Sequence, residues 1–490
     1  MDRISAAVDR LIAFAEQNLE LDARNACYAR NTVLDIVGAE TYTEQPDVVY
    51  GGESCAQLLS ELTDACVAEG LISEEEKDRY EDEVAGALML SPKEVEEEFS
   101  RRAAKSSKDA TEWFYRYSVA CDYVKKEKLD KNPRFTAKNG LIVTINKAKP
   151  EFRDPKKAAS GNSTKGGYPK CTICRENEGY AGRQKRTLRT VGLRLGGQDW
   201  FWQYSPYGYF YQHGIAVNCK HTPMHVDSAT FYRLMDFVDQ FPHYFIGCNA
   251  ALPLIGGSVL AHDHYQGGGE TLPLQTAKIA IALKHEKYPD VEVGVCDWFG
   301  TAVRVTGKNR DSVAAVSEII RKGWVEYGDR ERGIIPYDEN GIHSAISPTV
   351  VKAERGYEMT IILRNNITSE QYPDGVFHAH PEFHVIKKES IGLIEAQGLF
   401  ILPGRLEKQL KEVEECLVNG CGLPKELSEF SMICEETRER CPEHPTAEQA
   451  SEAMREELAS VCERILQNTA VFKTHRETEE FMKGLGFENV

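Results

Sequence analysis

The spacing of apolar residues predicts a helical region at the start of the chain. Residues 6–19 carry apolar side chains at helical spacing, and residues 91–94 (Ser-Pro-Lys-Glu) have the composition of a helix start, with Ser as the cap and Pro in the first turn. The helical pattern ends near Asn132-Pro133. Residues 140–145 then form an apolar, β-branched run that predicts a strand. We therefore expect residues 1–128 to form a mainly helical region.

The middle of the chain alternates between two kinds of pattern. Runs of β-branched and aromatic residues at 214–217 and 359–363 predict strands, whereas residues 228–240 and 311–327 have the periodicity of helices. This alternation indicates an α+β or α/β body.

The flanking segments differ from this body in composition. Residues 158–167, which are rich in Ser, Gly and Lys, predict a loop, and residues 405–490 return to a helical pattern with more acidic than basic side chains. We expect the latter to be solvated helices rather than a functional site. Eleven of the 13 histidines lie between His213 and His384, so the chemistry is expected in the middle body.

Composition narrows the classes of partner. The chain has 490 residues and a net charge of −17, which argues against nucleic acid or an anionic membrane as the main partner. No run approaches the roughly 18 apolar residues of a membrane span, and the amino terminus lacks a basic region followed by an apolar one, so we expect a cytoplasmic protein. The 14 scattered cysteines do not resemble a disulfide framework and are expected to be mostly reduced, buried thiols.

Residues 262–269 (His-Asp-His-Tyr-Gln-Gly-Gly-Gly) form the most informative motif. In an extended segment His262, His264 and Gln266 would share one face, while the residues between them face the other way. The glycines would let backbone N–H groups approach an anion closely, which suits a phosphate beside the imidazoles. A single buried histidine is usually a packing residue, but this array favours a nucleotidyl-transferring histidine.

A second constellation is the C-x-x-C pair Cys171 and Cys174. Two thiolates at this spacing can share one tetrahedral metal ion, and the remaining ligands would be histidines, for which we select His221 and His262. Two further histidines are kept in reserve as ligands, His225 and His213. A redox pair and two buried thiols are the competing interpretations of the motif.

A third group of histidines comprises His378 and His380, with His384 and His343 nearby in the sequence. Imidazoles on alternate residues can hold a metal, but two exposed histidines at a strand end explain the pattern almost as well. Basic side chains cluster at Arg183, Lys185, Arg186, Arg189, Arg194, Lys387 and Lys388. Basic runs are mostly solvated, so we expect only some of them to bind phosphate.

Several blocks of sequence resemble, in the same order, those of the class II galactose-1-phosphate uridylyltransferases. The blocks are residues 168–174, 178–183, 203–207, 241–247, 256–258, 262–268, 364–366, 386–388 and 402–405. The resemblance implies an α+β fold with two histidine-triad-like modules built on antiparallel sheets. It implies a helical N-terminal region (1–128), a catalytic module (129–285), a second module (286–404) and a helical C-terminal region (405–490).

The resemblance also implies roles for individual residues. His264 corresponds to the nucleophile and Gln266 to the glutamine that holds the nucleotidyl phosphate. Cys171, Cys174, His221 and His262 correspond to the ligands of a structural zinc, and no organic cofactor is implied. The other substrate contacts would be Asn249, Ser258, Gly267, Gly268, Arg183, Arg364 and Lys388. The ligands of a second, non-catalytic metal would be His343, His378 and His380.

The implied reaction is a double displacement between UDP-glucose and galactose 1-phosphate through a uridylyl-histidine. His264 must be neutral at the attacking nitrogen, so we expect a carbonyl or another acceptor to fix its tautomer. The partners would be these small molecules, without nucleic acid or membrane, and a homodimer is compatible with the resemblance. Two departures are Asp263, where class I enzymes have Pro, and Tyr265, where class II members commonly have Phe.

Two rival functions remain open from the sequence. One is a related nucleotidyl phosphorylase or hydrolase, which would release UMP from UDP-glucose in water. The other is a non-catalytic UDP-sugar sensor, which would bind UDP-glucose without exchanging the sugar phosphate. The intact H-x-H-x-Q motif favours an enzyme.

Overall fold

The computed structural model describes residues 2–45, 49–148, 167–257 and 259–490. The loop predicted at residues 158–167 lies outside this part of the chain except for Gly167, and the candidate Ser258 also lies outside it. Within the described residues, helices and antiparallel strands form an α+β fold, as predicted. None of the described helices combines the length and apolar character needed to cross a membrane.

The N-terminal region is helical, as predicted. Its helices are α1 (Asp2–Asn18), α2 (Ala26–Ile36), α3 (Cys55–Ala68), α4 (Lys77–Ala87), α5 (Pro92–Ala103), α6 (Ser107–Ala120) and α7 (Lys126–Leu129). The predicted start of α5 is confirmed: Ser91 accepts a hydrogen bond from the backbone N–H of Glu94, whose carboxylate accepts one from the N–H of Ser91. The region packs against the rest of the molecule through aromatic contacts such as Phe114 with Tyr204, whose centroids are 5.2 Å apart.

The body of the fold is one sheet of eleven strands. In chain order its strands are β3 (Val191–Leu195), β4 (Gln198–Tyr204), β5 (Gly214–Asn218), β6 (Phe245–Gly247), β7 (His264–Gly268), β8 (Ile279–His285), β9 (Val291–Cys296), β10 (Ala302–Gly307), β13 (Ser344–Ala353), β14 (Gly356–Asn365) and β16 (Phe487–Asn489). The strands β1 (Arg134–Thr136), β2 (Ile142–Asn146) and β15 (Leu399–Pro403) form a smaller sheet, and β11 (Tyr337–Asp338) pairs with β12 (Gly341–Ile342).

The large sheet consists of two halves with corresponding strand order. Read outward from the centre, one half is β6-β7-β5-β4-β3 and the other is β13-β14-β10-β9-β8, with β16 at the far edge. The halves join where β6 pairs with β13, for example Ile246 with Val350. The predicted module boundary between residues 285 and 286 falls inside the β8–β9 hairpin, whose two strands lie side by side in the second half.

Helices cover one face of this sheet. Helix α8 (Ser228–Gln240) follows β5, and helix α10 (Arg310–Glu326) follows β10, so the helices also correspond between the halves. Phe237 of α8 packs against Trp202 of β4 with a centroid distance of 5.1 Å, and Trp324 of α10 is fully buried. The burial of this apolar face leaves the opposite face for the polar side chains of β7.

The smaller sheet and the helices between residues 406 and 469 lie over part of the opposite face, whereas the last helix packs against α10 through Phe481 and Trp324. Phe245 belongs to the same apolar cluster as Leu399 and Ile401 of β15. The remaining helices are α9 (Pro273–Thr276), α11 (Leu393–Ala396), α12 (Leu406–Asn419), α13 (Ser431–Glu439), α14 (Ala447–Thr469) and α15 (His475–Gly484). The expectation of merely solvated helices after residue 405 was incomplete, because α14 is buried along one side and β16 extends the sheet.

Candidate active site

His264 and Gln266 lie on the same face of strand β7, as predicted. Strand β7 is central, because β5 pairs with one side of it and β6 with the other. Tyr265 points to the opposite face and stacks on Trp200 at a centroid distance of 4.7 Å. The strand begins at His264, and His262 lies in the bend before it. The alternation of the strand therefore separates the packing residue from the two polar residues.

The ring of His264 is held by the backbone of His262. The Nδ1 atom of His264 lies 2.8 Å from the carbonyl oxygen of His262, which is the kind of acceptor expected from the sequence. Burial lowers the pKa of His264, and the hydrogen bond to His262 partly opposes this shift. The proton of a neutral ring is thereby held at Nδ1, which leaves a lone pair on Nε2.

Gln266 is partly buried and its side chain meets a histidine that the motif does not contain. The Oε1 atom of Gln266 lies 3.4 Å from the Nε2 atom of His213. In the sheet, Gln266 is opposite Ile215 of β5 and Gly247 of β6. His213 was kept in reserve as a metal ligand, but the structure places it beside Gln266 instead.

Four buried or partly buried side chains form a cluster with the composition of a metal site. The ligand atoms of Cys171, Cys174, His221 and His262 all lie within 4.8 Å of one another. The two thiol sulfurs are 3.3 Å apart, and the Nδ1 atom of His262 is 3.3 Å from one and 3.5 Å from the other. These are the four residues selected from the sequence; His225 instead faces Asp227, at 3.4 Å.

The hydrogen bonds around the cluster suit a bound cation. The Nε2–H of His262 donates to the carbonyl oxygen of Asn218 at 2.8 Å, so the lone pair of Nδ1 faces the thiols. The Nε2 atom of His221 is buried and has no hydrogen-bond partner among the described residues. Burial and the adjacent Cys171 raise the pKa of Cys174 to about 12. A divalent cation would stabilise the thiolates and bind the lone pair of the His221 Nε2 atom.

Asn177 supports the cluster, although it was not among the residues selected from the sequence. Its Nδ2 atom donates to the carbonyl oxygens of Cys171 and Cys174 at 2.8 and 2.9 Å, and so holds the turn between the two thiols. A buried amide three residues after a C-x-x-C pair is the signal that could have identified it. Next along the chain, Glu178 accepts a hydrogen bond from the backbone N–H of Thr190 at 2.7 Å and fixes the segment beside β3.

Asn249 lies two residues after the end of β6. Its Oδ1 atom accepts a hydrogen bond from the backbone N–H of Leu393 at 2.8 Å. Its Nδ2 atom is buried without a partner in the described part of the chain, so its N–H groups are unpaired there.

The glycines of the motif have a packing role. A Cβ atom at Gly267 would lie 2.1 Å from the carbonyl oxygen of Phe245, and one at Gly268 would lie 2.5 Å from that of Gln212. Both residues are inside β7; Gly267 pairs with β5 and with β6, and Gly268 pairs with β6. The close approach of backbone that the sequence indicated is therefore an approach of strand to strand; their contact with phosphate stays a prediction.

Arg364 carries a fully buried guanidinium group. All three guanidinium nitrogens lack a partner among the described residues. Burial lowers the pKa of Arg364 to about 10, and the charge of Glu395 opposes the shift. The register of β13 and β14 places Arg364 on the same sheet face as the polar residues of β7. The other basic candidates, Arg183 and Lys388, are half-buried, and neither contacts His264 or Gln266 in the described residues.

Comparison with known proteins assigns the family. Models of the galactose-1-phosphate uridyl transferase N-terminal and C-terminal domains match residues 20–223 and 237–434. The chain belongs to this family. It is 51% identical to the galactose-1-phosphate uridylyltransferase of Bifidobacterium longum, with 99% of each chain covered. It is 36% identical to that of Clostridium perfringens, with 99% and 98% covered, and 34% identical to that of Streptococcus mutans, with 99% and 100% covered.

In this galactose-1-phosphate uridylyltransferase family member, the three histidines of the predicted second metal site do not form a cluster within the described residues. The thiol-containing cluster is the one group of potential ligands there that is close enough to share an ion. His343 bonds to Asn366 at 2.8 Å, and the rings of His378 and His380 face backbone carbonyl oxygens at 3.2 and 3.1 Å. These imidazoles contact local backbone and side-chain groups, and their role as ligands of a second metal stays a prediction.

Proposed function

We propose that this protein exchanges UMP between UDP-glucose and galactose 1-phosphate through a uridylyl group on His264. Its family and the names of its relatives support this reaction. The observation that carries the proposal is the 2.8 Å hydrogen bond from Nδ1 of His264 to the carbonyl oxygen of His262. It leaves Nε2 as a neutral nucleophile, and the sheet places that nucleophile beside a carboxamide.

The reaction has two steps that use the same atom. In the first, the Nε2 lone pair attacks the α-phosphorus of UDP-glucose; the bond from phosphorus to the bridging oxygen breaks, and glucose 1-phosphate leaves with its electron pair. In the second, a phosphate oxygen of galactose 1-phosphate attacks this phosphorus and the P–N bond breaks, which gives UDP-galactose and restores the neutral ring. The His262 carbonyl stabilises the positive charge of the uridylylated ring between the steps.

Gln266 suits transfer because neither step needs a strong acid or base. The leaving group and the entering group are both phosphate anions, so no side chain has to move a proton. A carboxamide can donate to a phosphoryl oxygen without titrating, and it cannot activate water as an imidazole would.

We propose that the metal is zinc, bound by Cys171, Cys174, His221 and His262. Two thiolates and two imidazoles are a common tetrahedral donor set for zinc. When bound, the ion would supply a structural crosslink, because four protein ligands leave no open coordination position. Its effect on the reaction would then come through the position of His262, whose carbonyl holds the ring of His264.

The remaining substrate contacts are proposals that follow from the same site. The N–H donors of Asn249 and Arg364 that have no partner in the described ranges are suited to oxygen atoms of the substrates. The contacts of Ser258, Gly267, Gly268, Arg183 and Lys388 rest on the family resemblance. The homodimer, the division into modules and the cytoplasmic location stay predictions.

Trapping the intermediate tests the proposed function. UDP-glucose labelled in the uridylyl group is mixed with the protein, which is then denatured in base, where phosphohistidine bonds survive. We expect label on the wild type and on His225→Asn, a matched variant of a half-exposed histidine outside the site, but not on His264→Asn. Release of free UMP, without label on the protein and without exchange of the hexose phosphate, would support the hydrolase instead. Tight binding of UDP-glucose with no exchange would support the sensor.

A further inference from the structure

His213 lies beside Gln266 and is enclosed by aromatic rings. The residue is 3% exposed and directly precedes β5. Its ring stacks on Tyr209 at a centroid distance of 4.6 Å and an angle of 19°, and the ring of Phe210 is also 4.6 Å away. The Nε2 atom lies 3.4 Å from Oε1 of Gln266, whereas Nδ1 is buried with no partner among the described residues.

The surroundings of His213 select one tautomer. Burial lowers the pKa of His213 to about 3, so the ring is neutral and a single nitrogen carries a proton. With the proton on Nε2, the ring donates to Gln266 and leaves one unpaired acceptor, Nδ1. With the proton on Nδ1, a buried N–H donor would have no acceptor, which is the rarer and costlier arrangement. The first tautomer is therefore favoured.

A fixed donor at Nε2 determines how the carboxamide of Gln266 is turned. When Oε1 accepts from His213, the amide N–H groups of Gln266 point away from that ring. Phosphoryl oxygens are acceptors, so a bound nucleotide requires N–H groups and would be repelled by Oε1. We infer that His213 is a positioning residue, which holds Gln266 with its N–H groups towards the phosphoryl group. This inference rests on the proposed function.

The sheet places the three side chains in order on one face. His264 is opposite Val217 of β5 and Gln266 is opposite Ile215, and His213 is the next residue of the same parity along that strand. Gln266 is thus flanked by the nucleophile on its own strand and by His213 on the neighbouring chain segment. The position of His213 depends on strand pairing, which explains why the motif does not contain it.

Two substitutions distinguish the effect of the hydrogen bond from His213 to Gln266 from the effect of packing by the His213 side chain. His213→Gln keeps an amide N–H near the place of the ring Nε2, whereas His213→Met has a similar length and no donor. We expect His213→Met to lower kcat for sugar-phosphate exchange about tenfold to a hundredfold, with KM for UDP-glucose within about threefold of wild type. We expect His213→Gln to recover most of this loss.

A double-mutant cycle distinguishes positioning from a general structural role. In a Gln266→Ala background, His213→Met should cause no further loss of kcat, because the group that it positions is already absent. The matched control is His243→Met, since His243 is a half-buried histidine outside the site whose ring also lies beside an aromatic residue, at 4.5 Å from Tyr244, and its substitution should leave kcat unchanged.

Several results would overturn the inference. These are a kcat of His213→Met within about twofold of wild type, a His213→Gln variant as slow as His213→Met, or losses that add in the cycle. If His213→Met does not fold, His213→Phe replaces it, and failure of both to fold would assign the imidazole to the stability of the fold instead of to the positioning of Gln266. A wild-type protein without exchange activity would defeat the proposed function itself and is distinguishable from these outcomes.

Discussion

A hydrogen bond of 2.8 Å joins the carbonyl oxygen of His262 to the ring Nδ1 of His264. The side chain of His262 meanwhile faces the thiols of Cys171 and Cys174. One residue therefore contributes its ring to the metal cluster and its backbone to the proposed nucleophile. This arrangement links metal binding to the tautomer of His264, and the following prediction depends on that link.

We expect the purified protein to contain about one zinc per chain. Cys174→Ser should lose the metal, melt at a lower temperature and exchange sugar phosphates more slowly, because the segment that carries the His262 carbonyl is no longer fixed. Elemental analysis, thermal melting and exchange assays measure these effects. Cys219→Ser, at an exposed thiol outside the cluster, is the control and should behave as wild type. A metal-free wild-type protein with full activity would contradict the prediction.

His264→Gly should abolish transfer and leave space for a free imidazole. Exchange should fall at least about a thousandfold, because binding and electrostatics cannot replace a nucleophile. Added imidazole should then form uridylyl-imidazole from UDP-glucose, which chromatography with a labelled substrate detects. His225→Gly serves as the control and should show neither effect. Turnover of His264→Gly near the wild-type rate would exclude His264 as the nucleophile.

Gln266→His should change the fate of the intermediate. A titratable ring can activate water, so a larger fraction of uridylyl-protein should be lost as UMP when galactose 1-phosphate is subsaturating. Gln266→Asn keeps a non-titrating carboxamide and should slow exchange without this increase. The ratio of UMP to UDP-galactose from the pre-formed intermediate is the measurement. An unchanged ratio in Gln266→His would mean that exclusion of water, not the carboxamide, prevents hydrolysis.

Arg364→Met should weaken substrate binding without destabilising the protein. The Arg364 guanidinium is buried and has no hydrogen bond to any described residue, so its removal should leave the melting temperature unchanged or raise it. If the cation binds a phosphate oxygen, KM for UDP-glucose should rise about tenfold or more. Arg304→Met provides the contrast, since Arg304 donates to the carbonyl oxygens of Leu274 and Ala277 and its loss should lower the melting temperature. A destabilised Arg364→Met with normal KM would assign the arginine to the fold.

Gly267→Ala should be destabilising because of strand packing. The added Cβ would lie 2.1 Å from the backbone oxygen of Phe245, which cannot move without separating β6 from β7. We expect a loss of at least about 2 kcal/mol in the free energy of unfolding, measured by denaturant titration. Gly422→Ala, where a Cβ would meet nothing within 4 Å, should change it by less than about 0.5 kcal/mol. Equal stability of the two variants would refute the packing explanation.

Features that depend on local signals could be predicted from the sequence. The helix predicted at residues 228–240 is observed as Ser228–Gln240, and that predicted at 311–327 is observed as Arg310–Glu326. Such helices are determined by the periodicity of apolar residues and by capping residues, and these signals lie within a few helical turns of one another. The spacing of Cys171 and Cys174 indicated their shared role for the same reason, while His221 and His262 were selected as histidine donors for the remaining positions, and the family resemblance implied the same two residues.

Features that depend on tertiary contacts could not be predicted. The contact of His213 with Gln266 arises from strand pairing. From the sequence alone, His213 was only a reserve candidate for a metal ligand. The surroundings of the histidines selected for a second metal have a similar cause, since the spacing of His378 and His380 says nothing about the carbonyl groups that face their rings. The burial of the Arg364 side chain without a partner among the described residues likewise appears only in three dimensions.

The pairing of β6 with β13 also has a consequence for fragments of this protein. It joins Thr349 to Gly247 and Val351 to Phe245, so each half of the sheet covers the central edge of the other. A half expressed alone would present that edge with unpaired backbone groups and an apolar surface around it. Because the two halves share their strand order, the exposed edge of one half has a geometry that can pair with the corresponding edge strand of another half. We therefore expect an isolated half to associate with a second copy of itself through the sheet edge that the other half normally covers.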